Sequence, residues 1–219
     1  MRKEPLLENE YYHVYNRGVD KRVVFNNSSD LKRFTHGLYI LNNFLNIPPR
    51  FNLYELEPQK FLTPIQPYVK IVAACLMPNH YHLMVTPKQK DGLSKFLHKI
   101  GTSYTNYFNR KYERSGRLFE NTFKAKHVDR GEYASYLTQY IHLNPVKLYQ
   151  AKLGTINTAD NIIDQVKSYT WSTLPEYLGN HGNLSLLLTN TSFRDTILGL
   201  DANQYRNHLH ELYKELYQA

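Results

Sequence analysis

The segment Tyr68–Pro87, YVKIVAACLMPNHYHLMVTP, carries the strongest strand signal in the chain. Two apolar runs rich in β-branched and aromatic residues flank the turn-forming residues MPN. The pattern predicts an antiparallel pair of strands joined by a tight turn. The second run also contains two histidines, His80 and His82, one residue apart. Because side chains alternate between the faces of a strand, both histidines point to the same face.

Other segments predict the elements around this pair. The stretch YYHVYNRG has strand composition and ends at Gly18, and GRLFENTFKAKHVD is a basic and aromatic segment expected to be extended. Apolar residues recur at helical spacing in several further segments. These predicted helices are 29–43, 93–112, a helix within 131–147 stopped by Pro145, and two terminal helices within 191–218. Strands mixed with helices, without regular βαβ spacing, favour an α+β fold with an antiparallel sheet and flanking helices.

The chain has no internal repeat and no low-complexity tract. Residues 46–67 contain five prolines and interrupt the chain as an irregular, Pro-rich insertion. A length of 219 residues is ample for one buried core.

The formal net charge of +8 indicates an anionic partner, such as nucleic acid or a membrane surface. The charge is uneven, since the segment 95–130 has nine basic against three acidic residues. Beyond Gly154 acidic residues outnumber basic ones, so that part is not expected to meet a polyanion.

The single cysteine and the hydropathy pattern bear on the compartment. Cys75 lies in an apolar run, so an intramolecular disulfide is excluded and a buried thiol in a reducing compartment is expected. No segment approaches eighteen consecutive apolar residues, and the N-terminus has no long apolar stretch. We therefore expect neither a signal peptide nor a membrane span, and a cytosolic protein.

Two imidazoles on one face of a rigid strand form half of a metal site. The alternative is that they only form hydrogen bonds at the end of the strand. Tyr140 and Asn144 are four residues apart, so they share a helical face. An amide oxygen is a suitable ligand for Mg²⁺ or Mn²⁺, and a phenol is a nucleophile when a cationic field assists its deprotonation. Core packing for Tyr140 and helix capping for Asn144 are the alternatives, and Tyr136 competes as the nucleophile.

The motifs YHVYNRG, AACLMPNHYHLMV, LSKFLHKIGTSYTNYFNRKYERSGRLFE, YIHLNPVK and YTWSTLPEYLG occur in this order over most of 12–179. In these motifs the chain resembles the single-tyrosine HUH transposases of the IS200-like superfamily, particularly the REP-associated tyrosine transposases. The resemblance implies that His80 and His82 are the HUH pair, Tyr140 the nucleophile and Asn144 the third ligand of a divalent metal, Mg²⁺ or Mn²⁺.

The resemblance also implies an activity, metal-dependent cleavage and transfer of single-stranded DNA beside a hairpin through a 5′-phosphotyrosine, in the bacterial cytosol or nucleoid. No ATP is implied. The resemblance implies a main domain, 1–179, followed by a helical C-terminal extension, 180–219. The insertion 46–67 and the C-terminal extension depart from the family pattern, and a homodimer and a monomer both remain open. A DNA-hairpin binder that does not cut is the alternative, whereas a barrel hydrolase with an HxH metal pair would need further ligands that the sequence lacks.

Basic residues along the chain are candidates for contacts with DNA phosphates. Some of them are expected to lie on an ordinary solvated face, and Arg17 has an equally plausible place in a turn closed by Gly18. The candidates are Arg17, Lys95, Lys99, Arg110, Lys111, Arg114, Arg117, Lys124 and Lys126.

Overall fold

A computed structural model describes residues 6–44, 66–129, 131–153, 159–188 and 193–218. The predicted insertion, 46–67, lies outside these residues apart from its last two. Four strands and seven α-helices are present among the described residues. The strands are β1 (Tyr11–Arg17), β2 (Val69–Met77), β3 (His80–Pro87) and β4 (Lys124–Val128). The helices are α1 (Ser28–Ile40), α2 (Gly92–Lys111), α3 (Glu132–Leu143), α4 (Val146–Leu153), α5 (Ala159–Lys167), α6 (Leu174–Tyr177) and α7 (Ala202–Tyr217).

The four strands form one antiparallel sheet in the order β2-β3-β1-β4. The predicted pair is confirmed, since β2 and β3 are joined by a turn at Pro78 and Asn79. The predicted α+β class, an antiparallel sheet with flanking helices, is confirmed as well.

Helices cover both faces of the sheet, which is why β2 and β3 are almost continuously apolar. On one face Tyr81 and Leu83 pack with α1 and α2. On the other face Met84 packs with Leu137 and Ile141 of α3. His80 and His82 alternate with Tyr81 and Leu83, so they lie on the face that α3 covers.

Several elements differ from the sequence predictions. Pro145 ends α3 as predicted, but α4 begins directly after it, and α5 was not predicted. The first of the two terminal helices is a short π-helix, Phe193–Leu198, and the second is α7. Helix α7 packs against α3 and α5.

A glycine is required at the end of β1. A Cβ atom at Gly18 would lie 2.4 Å from the carbonyl oxygen of Arg22 and 2.7 Å from Cγ1 of Val24. The chain therefore turns tightly through a 3₁₀ turn, Val19–Lys21, which brings Arg22 back toward β1. This is the turn that was the alternative to a nucleotide contact at this position.

Two further predictions concern Cys75 and membrane segments. Cys75 is a free, buried thiol, and its burial raises its pKa. Among the described residues, no helix combines the length and the apolar character needed to cross a membrane.

Candidate active site

A cleft of about 610 Å³ opens at the end of the sheet where β1 ends and β3 begins. It brings together all four residues that the sequence singled out for chemistry, His80, His82, Tyr140 and Asn144. The other residues that line it are Tyr15, Asn16, Arg17, Val23, Met77, Pro78, Asn79, Glu120, Lys124, Lys147 and Leu148.

The register of β1 and β3 decides which side chains flank the histidines. Tyr15 lies opposite His82, and Arg17 lies opposite His80. Directly opposed residues place their side chains on the same face of a sheet. The histidine face of β3 is therefore continuous with Tyr15 and Arg17 of β1.

His80 is held in one tautomer by its neighbour in the turn. Nδ2 of Asn79 donates to the carbonyl oxygen of Lys21 (3.1 Å), so the amide oxygen of Asn79 faces His80. Nδ1 of His80 donates to that oxygen at 2.6 Å. Since an amide oxygen only accepts hydrogen bonds, Nδ1 of His80 carries the proton and Nε2 keeps its lone pair.

His82 is held by a residue that the sequence analysis did not select, His13. Nε2 of His13 lies 2.8 Å from Nδ1 of His82, and the two rings stack with centroids 5.1 Å apart. Both side chains are buried, at 8% and 9% exposure. A proton on Nδ1 of His82, donated to His13, leaves Nε2 of His82 as a lone-pair donor. The sequence did hold one indication of this role, since the alternation of β1 places His13 and Tyr15 on the same face.

Asn144 has its amide nitrogen occupied at the end of α3. Pro145 has no N–H, and the N–H of Asn144 bonds to Ile141 at 3.4 Å instead of to Tyr140. Nδ2 of Asn144 therefore donates to the carbonyl oxygens of Tyr140 (2.9 Å) and Ile141 (3.4 Å). The capping role that was the alternative is thus present, but it uses only the nitrogen, and the amide oxygen lies near enough to His80 to favour the protonated form of that ring.

Both histidines of the pair are electrically neutral near pH 7. Burial lowers the pKa of His80, and the positive charges of Arg17 and Lys147 lower it further, against the hydrogen bond with Asn144. Burial holds the pKa of His82 well below its usual value, with smaller effects of His13, His80 and Arg17. Neutral imidazoles are the form that binds a metal ion.

Tyr140 and Tyr136 have different surroundings. The ring of Tyr140 lies 6.2 Å from that of His82, edge to face, inside the cleft. Tyr136 is 39% exposed and lines a separate depression with His208 and Glu211. Burial and the negative charge of Glu215 raise the pKa of Tyr136, which disfavours its phenolate. Only Tyr140 of the two lies beside the histidine pair.

Three of the predicted DNA-contact residues lie on the site face. Arg17 and Lys124 line the cleft itself. Lys126 lies opposite His13 in the register of β1 and β4, and burial, followed by the charge of Lys126, lowers the pKa of His13 to about 4. Lys147, which the sequence analysis did not select, adds a further cation from α4, one turn beyond Asn144.

The predicted contacts on α2 lie on the opposite face of the sheet. Lys95 and Arg110 are exposed there, and Lys99 donates to the hydroxyl of Tyr68. Lys111 forms an ion pair with the fully buried Asp30 at 2.7 Å. Lys111 therefore links α2 to α1, because the carboxylate of Asp30 would otherwise be buried without a counter-charge.

The cleft contains the donor set for a divalent cation. His80, His82 and Asn144 line it together, and two neutral imidazole nitrogens with one amide oxygen would suit Mn²⁺ and, with more oxygen ligands from water or phosphate, Mg²⁺. Over the described residues there is no group of three or more His, Cys, Asp and Glu that could hold a metal ion. A metal ion held by His80 and His82 would take its third ligand from another residue type, such as the amide of Asn144.

Comparisons with known proteins agree with the motifs. Residues 66–144 match the model of the family described as IS200-like transposases. The fold resembles that of a REP-associated tyrosine transposase solved with a bound REP hairpin, with a TM-score of 0.53 and 13% identity over 82% of this chain and 85% of that one. No curated protein matches the sequence. The family model over residues 66–144 and the likeness of fold confirm the resemblance to IS200-like transposases that the motifs indicate.

Proposed function

We propose that this protein cleaves and rejoins single-stranded DNA beside a hairpin, with Tyr140 as the nucleophile and a 5′-phosphotyrosine as the intermediate. The observation that carries the proposal is the position of the Tyr140 ring, 6.2 Å from His82 in a cleft that also contains His80 and Asn144. A nucleophile, neutral imidazoles and several cations in one cleft suit phosphoryl transfer, which depends on positioning and charge stabilisation.

The reaction requires two exchanges at one phosphorus atom. In the first, the oxygen of Tyr140 bonds to phosphorus, the bond to the DNA 3′-oxygen breaks, the phenol loses its proton and the 3′-oxygen gains one. In the second, a DNA 3′-hydroxyl attacks the phosphotyrosine and the phenol is restored. Each exchange breaks one phosphoester bond and forms another, so no ATP is needed.

His80, His82 and Asn144 are the residues that would hold a divalent cation, Mg²⁺ or Mn²⁺, and the cation would supply polarisation of the scissile phosphate. The surrounding residues prepare this set. Asn79 and His13 fix the ring orientation of the two histidines, and the end of α3 fixes the amide of Asn144. Arg17, Lys124 and Lys147 attract the phosphate backbone into the same cleft.

Tyr140 is preferred over Tyr136 on two grounds. Tyr136 faces a different depression and has an acidic neighbour, Glu215, which opposes both its ionisation and the approach of DNA phosphates. The two rings stack at 6.4 Å, so replacing one of them leaves the other in place as an internal comparison.

The proposed partner is single-stranded DNA that carries a hairpin. The structurally similar transposase was solved with a REP hairpin, and the basic residues beside the cleft are consistent with a similar ligand here. Cleavage of this DNA is the main proposal. Hairpin binding without cleavage is the second candidate function, which the same cations would support.

A covalent-adduct assay tests the proposal. Oligonucleotides covering the DNA that flanks the gene are incubated with the wild type, Tyr140→Phe, Tyr136→Phe or His80→Ala, in Mg²⁺, Mn²⁺ or EDTA. We expect a metal-dependent, denaturant-resistant protein–DNA band that Tyr136→Phe retains and that the other two variants lose. A band that survives Tyr140→Phe contradicts the assignment of the nucleophile. Tight binding without any band favours the hairpin binder.

A further inference from the structure

A second basic cleft adjoins the candidate active site. It lies between the 3₁₀ turn after β1 and the loop that follows α2. Glu120 lines both clefts. We call this second site the basic cleft. It is lined by Val19, Asp20, Lys21, Arg22, Arg114, Arg117 and Glu120.

The two loops that form the basic cleft are joined by the backbone. The N–H of Val19 donates to the carbonyl oxygen of Leu118 (3.0 Å), and that of Glu120 donates to the carbonyl oxygen of Arg17 (2.9 Å). These bonds extend the line of β1 beyond the sheet. The basic cleft therefore adjoins the candidate active site, called the histidine cleft from here on, along one hydrogen-bonded stretch of backbone.

The cations of the basic cleft exceed its carboxylates. Lys21, Arg22, Arg114 and Arg117 face only Asp20 and Glu120. Arg22 approaches Asp20 at 3.9 Å, and Asp20 is 84% exposed, so this contact neutralises little charge. Within the described part of the chain, no carboxylate forms an ion pair with the other three cations.

Two of the guanidinium groups that line the basic cleft are held by backbone carbonyl oxygens. Nε of Arg22 donates to the carbonyl oxygen of Val19 (3.2 Å), and Nη2 of Arg114 donates to that of Arg117 (3.0 Å). Partial burial and the charge of Arg22 lower the pKa of Arg114. Fixed, mutually repelling guanidinium groups are relieved when an anion binds between them, and their planar forks match phosphate oxygens.

The backbone of the 3₁₀ turn is strained at the same place. Asp20 and Lys21 have φ angles of 56° and 58°, which residues other than glycine rarely adopt. The carbonyl oxygen of Lys21 accepts from Asn79, the residue that orients His80. The turn that presents Lys21 and Arg22 is thus anchored on the histidine cleft.

We propose that the basic cleft binds backbone phosphates of the same DNA molecule whose scissile phosphate lies in the histidine cleft. The inference rests on the proposed function, since it takes the DNA path from the histidine cleft across Glu120. It adds a second phosphate-binding site, with Lys21 and Arg22 as contacts that the sequence did not indicate. Arg114 and Arg117, predicted as phosphate contacts, lie in this second site.

Binding measurements test the inference separately from cleavage. The test variant is Arg22→Gln with Arg117→Gln, and the matched control is Lys32→Gln with Lys90→Gln, which removes the same charge from exposed positions that line neither cleft. The probe is a fluorescent oligonucleotide with one hairpin and a single-stranded flank, titrated in EDTA at several salt concentrations. Thermal unfolding of each variant establishes that it is folded, and Lys21→Gln replaces any test variant that is not.

We expect the test variant to bind roughly tenfold more weakly at low salt, and the slope of log K against log salt to fall by about 1.4 to 1.8, since each lost phosphate contact contributes about 0.7 to 0.9. The control should change neither quantity. Equal losses in test and control, or no loss in the test variant, overturn the inference.

The adduct assay keeps the two failures apart. At saturating DNA the test variant should form the Tyr140 adduct to the wild-type extent, because its own changes lie outside the histidine cleft. If wild type and test variant form the adduct equally and bind equally, only the second site is wrong. If the wild type forms no adduct, the proposed function fails, and the inference that rests on it fails too.

Discussion

Replacing His13 by phenylalanine should weaken metal binding without dismantling the site. The rings of His13 and His82 stack with centroids 5.1 Å apart in the wild type, and a phenyl ring can keep this stacking. The substitution removes the acceptor, Nε2 of His13, that lies 2.8 Å from Nδ1 of His82. His82 is 9% exposed, so solvent replaces the lost partner poorly. An unpaired buried donor costs about 1 to 3 kcal/mol.

His82 can escape that cost by moving its proton from Nδ1 to Nε2, which removes the lone pair from the cleft. A penalty of about 1 to 3 kcal/mol on the metal-binding tautomer corresponds to roughly 5- to 150-fold in affinity. Loss of the group that orients a histidine ligand typically costs about 10- to 100-fold. We therefore expect His13→Phe to bind Mn²⁺ about 10- to 100-fold more weakly than the wild type.

The assay is a Mn²⁺ titration followed by the electron paramagnetic resonance signal of free Mn²⁺, with adduct yield measured across the same concentrations. Adduct formation by His13→Phe should recover as Mn²⁺ is raised. Tyr15→Phe is the matched control, because Tyr15 also stacks on His82, at 5.8 Å, and loses only its hydroxyl. A folded His13→Phe with wild-type Mn²⁺ affinity would refute the tautomer argument. Equal weakening in Tyr15→Phe would point instead to a distorted strand.

Three further predictions concern other parts of the molecule. Lys111→Met should lower the free energy of unfolding by about 3 kcal/mol in urea titrations, because it leaves the buried Asp30 without its cation, and should leave DNA affinity unchanged. Lys124→Met should instead weaken DNA binding and leave the free energy of unfolding unchanged. Burial lowers the pKa of His142 to about 3, so between pH 6.5 and pH 3 this residue is protonated in the unfolded state but not in the folded state. The free energy of unfolding should therefore fall as pH falls, by up to about 1.4 kcal/mol per pH unit from this histidine. His142→Gln, titrated in EDTA, should show a shallower dependence of the free energy of unfolding on pH. Cys75 should react with a thiol reagent only as fast as the protein unfolds, because it is fully buried and burial raises its pKa, and rapid labelling of the native protein would contradict this.

The C-terminal helix contributes to the site from a distance. Nδ1 of His142 lies 2.7 Å from the hydroxyl of Tyr205 on α7, and its Nε2 lies 2.8 Å from Oγ1 of Thr173. Since His142 lies on α3 between Tyr140 and Asn144, these bonds fix the helix that carries both residues. The boundary at residue 179, which follows from the resemblance, remains a prediction.

The amino-acid sequence by itself determined the features that depend on near neighbours. The alternation of a strand places His80 and His82 on one face, the spacing of a helix places Tyr140 and Asn144 on another, and Pro145 ends that helix. These rules involve residues no more than a few positions apart. They were enough to predict the antiparallel pair of strands and the two same-face pairs, whereas the resemblance to a family implied that the four residues meet in one cleft.

Only the tertiary structure decided which distant residues complete or leave the site. His13 reaches His82 because the register between β1 and β3 is set by the burial of whole strands, which no local pattern specifies. Lys111 is drawn to Asp30 because packing of α1 on α2 buries a carboxylate that needs a cation. Lys147 joins the cleft because α4 turns at Pro145. Each of these outcomes depends on the free energy of burying surfaces that are far apart in the chain, so local spacing alone does not determine them.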